Sequence, residues 1–189
     1  MVECGVIVLA GGRSSRMGAD KAQVHVNGVR LVDALLASLP AEMPRVVVSP
    51  FDLGFETVSE DPPFGGPVAG IAAGAKALAT PLVAVLAVDA PDSVRLVPQL
   101  IEAVTTPDDS GALPDVAVVM DDEGHLQPLC GVWRAASLST ALEAVNPRDA
   151  PAKALLRAAG SVVTVRGDGS ERDYDTPDQL AELGEIELR

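Results

Sequence analysis

The sequence predicts an α/β fold: a three-layer α/β/α sandwich around a mostly parallel sheet with at least one antiparallel strand. Three observations carry this. Short apolar runs with no polar face alternate with helical segments along the whole chain, as strands buried on both sides do. Proline, glycine and aspartate punctuate the junctions. Asp121-Asp122-Glu123-Gly124 separates two neighbouring strand-like runs by a hairpin-length spacer, too short for a parallel crossover.

The elements follow in order. Gly5–Ala10 reads as the first strand, and Gln23–Val26 as an alternating, strand-like stretch holding His25. Leu31–Leu39 is a helix stopped by Pro40. Arg45–Ser49 is a strand bounded by Pro44 and Pro50, and Glu56–Ser59 a short further one. Pro67–Leu78 is a small-residue helix with proline in its first turn. Leu82–Val88, the most apolar run, is a central strand. Ser93–Val104 is a helix with Ser93 as its N-cap. Asp115–Met120 and Leu126–Val132 are the hairpin strands. Ala135–Val145 and Ala152–Ala159 are helices around Asn146-Pro147. Ser161–Val165 is a last strand and Pro177–Leu183 a last helix. Ligands of such sheets bind beyond the carboxyl ends of the strands, where the loop after the first strand and Asp89 both fall.

A chain of 189 residues is expected to form one domain, 1–189, with one sizeable core. Apolar residues make up 48% and aromatics 3%, so Ala, Val and Leu fill that core, with the single Trp133 as packing. No apolar run approaches the roughly 18 residues of a membrane span, and no secretory leader pattern is read at the start. Cys4 and Cys130 have neither disulfide-framework nor metal-ligand spacing and read as small core residues. A cytoplasmic protein is the expectation. The net charge of −13 argues against nucleic-acid binding. In so acidic a chain, Arg13, Arg16 and Lys21 lie close together in one loop, a local concentration that suits a phosphate site.

That loop is the most informative segment. Val6–Ala10 breaks into Gly11-Gly12, followed by Arg13-Ser14-Ser15-Arg16-Met17-Gly18-Ala19-Asp20-Lys21. Glycines let backbone approach a ligand, and successive N–H groups form an anion cradle. A P-loop would need Gly-Lys-Ser/Thr, but Asp20 precedes Lys21. A dinucleotide fingerprint would need Gly-x-Gly-x-x-Gly, but Gly11 and Gly12 are adjacent.

Leu9-Ala10-Gly11-Gly12-x-Ser-x-Arg16-Met17-Gly18-x-Asp20-Lys21 resembles the signature of the molybdenum cofactor guanylyltransferases, within the wider nucleotidyltransferase family that also makes nucleotide sugars. Related cytidylyltransferases usually carry Ala where this chain has Gly11. The resemblance implies a Rossmann-like fold, with Leu9, Ala10, Gly11, Gly12 and Lys21 at the nucleotide and Arg16 and Lys21 as catalytic cations. Asp89-Ala90-Pro91 resembles the family's Asp-x-Pro, which implies that Asp89 holds Mg²⁺, or Mn²⁺, at the nucleotide. Asp61, before Gly66-Pro67-Val68-Ala69-Gly70, is implied at the guanine edge, with Glu60 as the substitute one residue earlier. Ser49 stands where the family usually has Asn beside base or ribose. Gln127 and Pro128 match the acceptor-side strand, and His125 reads as an exposed turn residue. Asp173 and Asp175 stand where many relatives have Asn near the pterin. Asp175-Thr176-Pro177 also reads as a plain helix cap.

The implied reaction is GMP transfer from GTP to the phosphate of molybdopterin, or of its molybdenum-loaded form, with release of pyrophosphate. Apo-molybdoenzymes or other cofactor-biosynthesis proteins are the implied protein partners. Two alternatives stand beside it. One is the same fold with another donor or acceptor: CTP with molybdopterin, or a nucleoside triphosphate with a sugar phosphate. The other is a non-catalytic nucleotide-binding relative.

Overall fold

The computed structural model describes residues 3–11 and 21–187. The strands are β1 (Cys4–Leu9), β2 (His25–Val26), β3 (Val29–Arg30), β4 (Arg45–Val48), β5 (Leu82–Ala87), β6 (Val116–Met120), β7 (Leu126–Arg134), β8 (Val162–Arg166) and β9 (Ile186–Glu187). The helices are α1 (Leu31–Ser38), α2 (Pro67–Ala75), α3 (Val97–Thr105), α4 (Ala135–Ala144), α5 (Lys153–Ala158) and α6 (Pro177–Leu180).

The main sheet runs β4-β1-β5-β7-β6-β8. β1 pairs in parallel with β4 and β5, and β8 in parallel with β6. β7 is antiparallel to both of its neighbours, so it alone runs against the sheet. The expected hairpin is therefore the antiparallel member, and it lies inside the sheet rather than at an edge. Side chains of the inner strands alternate between two cores, whereas edge strand β8 packs only Val163 and Val165 and leaves its other side exposed. Val6 and Val8 of β1 join Leu31, Leu35, Leu100 and Val104 on one face. Ile7 joins Val68, Ile71, Leu138 and Leu155 on the other. This gives the three layers. On the second face α2 packs closely because it is built from small residues: a Cβ on Gly74 would stand 2.7 Å from Ile7 Cγ2.

β7 also carries the sheet's irregularity. Val118 faces Gly131, yet Val119 faces Gln127, so Pro128, Leu129 and Cys130 bulge away from β6. Pro128 has no N–H to give the ladder, which accounts for the break at that point. Cys130 still pairs with Leu86 on the other side.

Several elements differ from the sequence expectation. Glu56–Ser59 is not a strand; only Val58 bridges, to Val48. Ser93 is not an N-cap. Pro91–Leu96 form a 3-10 turn in which the buried Ser93 hydroxyl donates to the Ala90 carbonyl at 2.6 Å. Pro98, lacking an N–H, makes the α-helical ladder start afresh at Val97. The helix from Pro67 ends at Ala75, and that from Pro177 at Leu180. In place of the strand-like Gln23–Val26, Lys21–Gln23 form a 3-10 turn and only His25–Val26 are extended. β2 joins a small second sheet in the order β3-β2-β9. Its turn is Asn27-Gly28, both at positive φ (52° and 77°), a hairpin signal present in the sequence. Asn27 also ties down the far end of the chain: its N–H donates to Glu185 O at 2.7 Å, and its side-chain oxygen accepts from Glu185 N at 3.0 Å.

Cys4 and Cys130 are buried free thiols. Burial raises the first to about 11 and the second, with help from the nearby Glu171 and Asp168 charges, to about 12. Trp133 is 2% exposed. His125 lies in the exposed hairpin turn near Asp121 and Glu123. No helix among the described residues is long and apolar enough to cross a membrane.

Candidate functional site

The site forms at the carboxyl ends of the three parallel strands β4, β1 and β5. Beyond Leu9, Ala10 N donates to Val48 O at 2.9 Å, and Val88 N donates to Leu9 O at 3.0 Å. These bonds hold the exits of all three strands side by side. Gly11 then passes directly over the end of β4. A Cβ there would meet Pro50 Cδ at 2.6 Å and Ser49 Cα at 3.3 Å. Glycine is thus required at position 11 by close backbone approach. Gly12 and Arg16, with Arg13 and the rest of residues 12–20, lie outside the described residues.

Lys21 re-enters in the 3-10 turn and meets two carboxylates from distant parts of the chain. Its Nζ lies 3.3 Å from Asp89 Oδ2, just past β5, and 2.5 Å from Asp175 Oδ1, just before α6. The Lys21 side chain is 15% exposed, Asp89 28% and Asp175 44%, so the cluster is half-sheltered. Burial alone would favour a neutral lysine, but the hydrogen bond and charge of Asp175 and those of Asp89 outweigh it and raise Lys21 above its ordinary range. Asp89 is also raised. Its burial dominates, Asp173 and Asp175 add repulsion, and Lys21 only partly opposes them. An ionised Asp89 therefore sits in surroundings that favour a further positive charge.

The backbone fixes this arrangement. Tyr174 N donates to Asp89 O at 2.9 Å, stitching the C-terminal segment to the exit of β5. Gln179 Oε1 accepts from Asp175 N at 2.7 Å and from Thr176 N at 3.1 Å, while Thr176 Oγ1 accepts from Gln179 N at 3.3 Å. That is a capping box. The cap reading and a place beside Lys21 thus both hold for this segment. Thr176→Ala should cost about 1 kcal/mol of stability and loosen Asp175; a denaturant midpoint equal to that of the parent would count against the cap.

The other predicted residues fall around this centre. Ser49 is 2% exposed, and its hydroxyl oxygen accepts from Phe51 N at 3.2 Å, closing the turn after β4. The loop before α2 holds Glu60 and Asp61. Glu60 is half-buried, and its Oε1 accepts from Gly65 N at 3.0 Å, whereas Asp61 is exposed. The rings of Phe51 and Phe64 pack at 5.9 Å and link this loop to the one after Ser49. Gln127 and Pro128 lie at the start of β7, with Gln127 Nε2 donating to Asp121 Oδ2 at 2.8 Å. Asp173 is exposed, but its charge reaches Asp89. A cleft of about 800 Å³, lined by Leu39, Met43, Val94, Pro98 and Ile101 among others, contains none of these residues.

What sequence reasoning missed is the pairing of Lys21 with Asp175. They are 154 positions apart, and no local pattern announces the contact.

Among the described residues, no three His, Cys, Asp or Glu side chains converge tightly enough to hold a metal by themselves. Asp89, with the charges of Asp173 and Asp175 nearby, offers carboxylate oxygen of the kind Mg²⁺ takes when phosphate oxygens and water fill the rest of its shell. The repulsion that Asp173 and Asp175 add at Asp89 is what an added cation would relieve.

Known proteins of one family are similar to this chain along most of its length. Residues 6–163 match the family model of the MobA-like NTP transferase domain. A Natronomonas pharaonis protein described as "probable molybdenum cofactor guanylyltransferase" is 33% identical over 92% of this chain and 93% of its own. The molybdenum cofactor guanylyltransferase of Vibrio parahaemolyticus is 27% identical over 96% of this chain and 95% of its own. Among solved structures, molybdopterin-guanine dinucleotide biosynthesis protein A of Archaeoglobus fulgidus superposes with a TM-score of 0.71 at 19% identity, covering 95% of this chain and 96% of that one. The 2-C-methyl-D-erythritol 4-phosphate cytidylyltransferase of Thermus thermophilus shares the fold, with a TM-score of 0.69 at 22% identity over 96% and 97% of the two chains.

Proposed function

Since the chain belongs to the family of MobA-like NTP transferase domains, we propose that it transfers GMP from GTP to the phosphate of molybdopterin, forming molybdopterin guanine dinucleotide. The observation that carries this reading is the meeting of Lys21 and Asp89 beside the glycine turn at the ends of β1 and β5. In the reaction, an oxygen of the acceptor phosphate bonds to the α-phosphorus of GTP. The bond from that phosphorus to the α–β bridging oxygen breaks, and pyrophosphate leaves. An ionised phosphate is already a nucleophile, so no general base is needed. Positioning and charge neutralisation carry the catalysis.

The residues divide the work. Gly11, with Gly12, brings backbone N–H groups close to the phosphates. Lys21, kept charged by its two carboxylates, supplies positive charge to the phosphates, and Arg16 adds to it. Asp89 would hold Mg²⁺, which when bound neutralises phosphate charge at the reacting centre. Asp61, or Glu60 beside it, accepts from the guanine edge. Gln127, Pro128, Asp173 and Asp175 border the acceptor. Molybdopterin, with or without molybdenum, is that acceptor in the cytoplasm, and apo-molybdoenzymes or other cofactor-biosynthesis proteins are the recipients of the product.

A nucleotide panel tests this. With molybdopterin as acceptor, pyrophosphate release from GTP should exceed that from CTP by about 10²-fold in kcat/KM, because a site built to hydrogen-bond one base leaves groups unpaired against another. A preference for CTP would overturn the guanine assignment. Absence of release from every nucleotide would overturn the enzymatic one.

A further inference from the structure

We propose that Asp175 is a positioning residue that latches Lys21 against Asp89 before nucleotide arrives and yields it to the incoming triphosphate. The proposal rests on the nucleotidyl-transfer reading of the site and adds to it how the site is held between turnovers. Lys21 Nζ bridges the two carboxylates at 3.3 and 2.5 Å. Both acids are held by backbone rather than by their own side-chain torsions alone. Asp89 is held by the exit of β5 and its bond from Tyr174 N, and Asp175 by the capping box of α6. Lysine is the flexible partner, a point charge on a long stem. It is therefore the group that moves, while the backbones that carry the two carboxylates keep their places.

The latch has a use and a cost. In a chain of net charge −13, an unneutralised Asp89 beside Asp173 and Asp175 would repel a triphosphate. Lys21 offsets that field. A carboxylate at 175 also competes with the nucleotide for the same ammonium, because Asp175 and a phosphate are both anions. An uncharged amide of the same shape would keep the backbone bond to Gln179, which uses Asp175 N, and remove the competing charge. Asp175→Asn therefore isolates the electrostatic role from the structural one.

The experiment uses the full chain, as parent, Asp175→Asn, Lys21→Met and the double variant. Two quantities are measured at low ionic strength: the rate at which acetic anhydride acylates Lys21, followed by peptide mass spectrometry, and the dissociation constant of GTP without added metal. Asp175→Asn should raise Lys21 acylation and tighten GTP, each about three- to fivefold, the range of a partly exposed ion pair. The GTP gain should vanish in the Lys21→Met background and shrink at high salt. Unchanged acylation in Asp175→Asn overturns the latch, whatever the nucleotide does. A GTP gain that persists without Lys21 also overturns it, since it would then reflect overall charge alone. A protein that releases no pyrophosphate yet shows the acylation increase keeps the latch and loses the nucleotidyl-transfer reading.

Discussion

Asp89→Asn is expected to lower pyrophosphate release with GTP on the order of 10²–10³-fold, the scale of losing one preorganised electrostatic contact at a phosphoryl centre. The fold should survive. Asn keeps the shape at the exit of β5, and the stitch from Tyr174 N goes to the Asp89 backbone rather than to its side chain. The sign of the stability effect follows from the raised Asp89 pKa. Ionisation is disfavoured in the folded state, so the carboxylate is a burden above its folded pKa and is relieved as pH falls through that value. Lys21 acts in the opposite sense. Its raised pKa contributes stability below its unfolded value, and this is lost as pH rises through the folded one. At neutral pH Asp89→Asn should thus melt no lower than the parent while losing turnover. In the parent, the acid limb of kcat/KM should lie above the ordinary aspartate range, since the ionised form is the active one. Near-parental turnover in Asp89→Asn would remove this side chain from the mechanism, and an acid limb at the ordinary carboxylate position would remove its perturbation.

Trp133→Ala should be the most damaging core substitution for stability, at about 3–5 kcal/mol. Trp133 is the only tryptophan of a chain that is 3% aromatic. It is 2% exposed and lies on the reversed strand β7, between Val83 of β5 and Val116 of β6. Its neighbours across that face are aliphatic and small, among them Leu138, Ala141 and Leu155, so little nearby can swing in to fill the space. Against a typical domain stability of about 5–15 kcal/mol, such a loss brings the protein near its threshold. Urea midpoints followed by far-ultraviolet circular dichroism would measure it, with Trp133→Phe as the milder comparison. A loss below about 1 kcal/mol for the alanine variant would mean that the site collapses freely.

The two cases differ in how far the sequence foretells them. A packing role for Trp133, in the core or at its rim, is legible from composition, and the structure puts it in the core. The partnership of Asp89 is not legible in this way. Asp89-Ala90-Pro91 marks a carboxylate leaving a central strand, but which cation faces it depends on which strand exits are neighbours. The small sheet gives a similar contrast. Asn27-Gly28 is a readable turn, whereas the pairing of β2 with β9 joins positions His25 and Glu187 from opposite ends of the chain. Ser93 shows the converse error. A good capping residue sits before an apolar run, yet a 3-10 turn already starts at Pro91 and Pro98 divides the run, so that the helix begins only at Val97.

By itself the sequence determined the properties that depend on near neighbours: doubly apolar inner strands, a hairpin with one reversed strand, and a glycine turn at the exit of the first strand. Periodicity and backbone sterics act over a few residues and leave their mark on the local string. Only the tertiary structure decided that Lys21 is shared between Asp89 and Asp175, 68 and 154 positions away. Strand order, and the capped segment stitched to the end of β5, set those distances. Charge acts through space, without regard to separation along the chain.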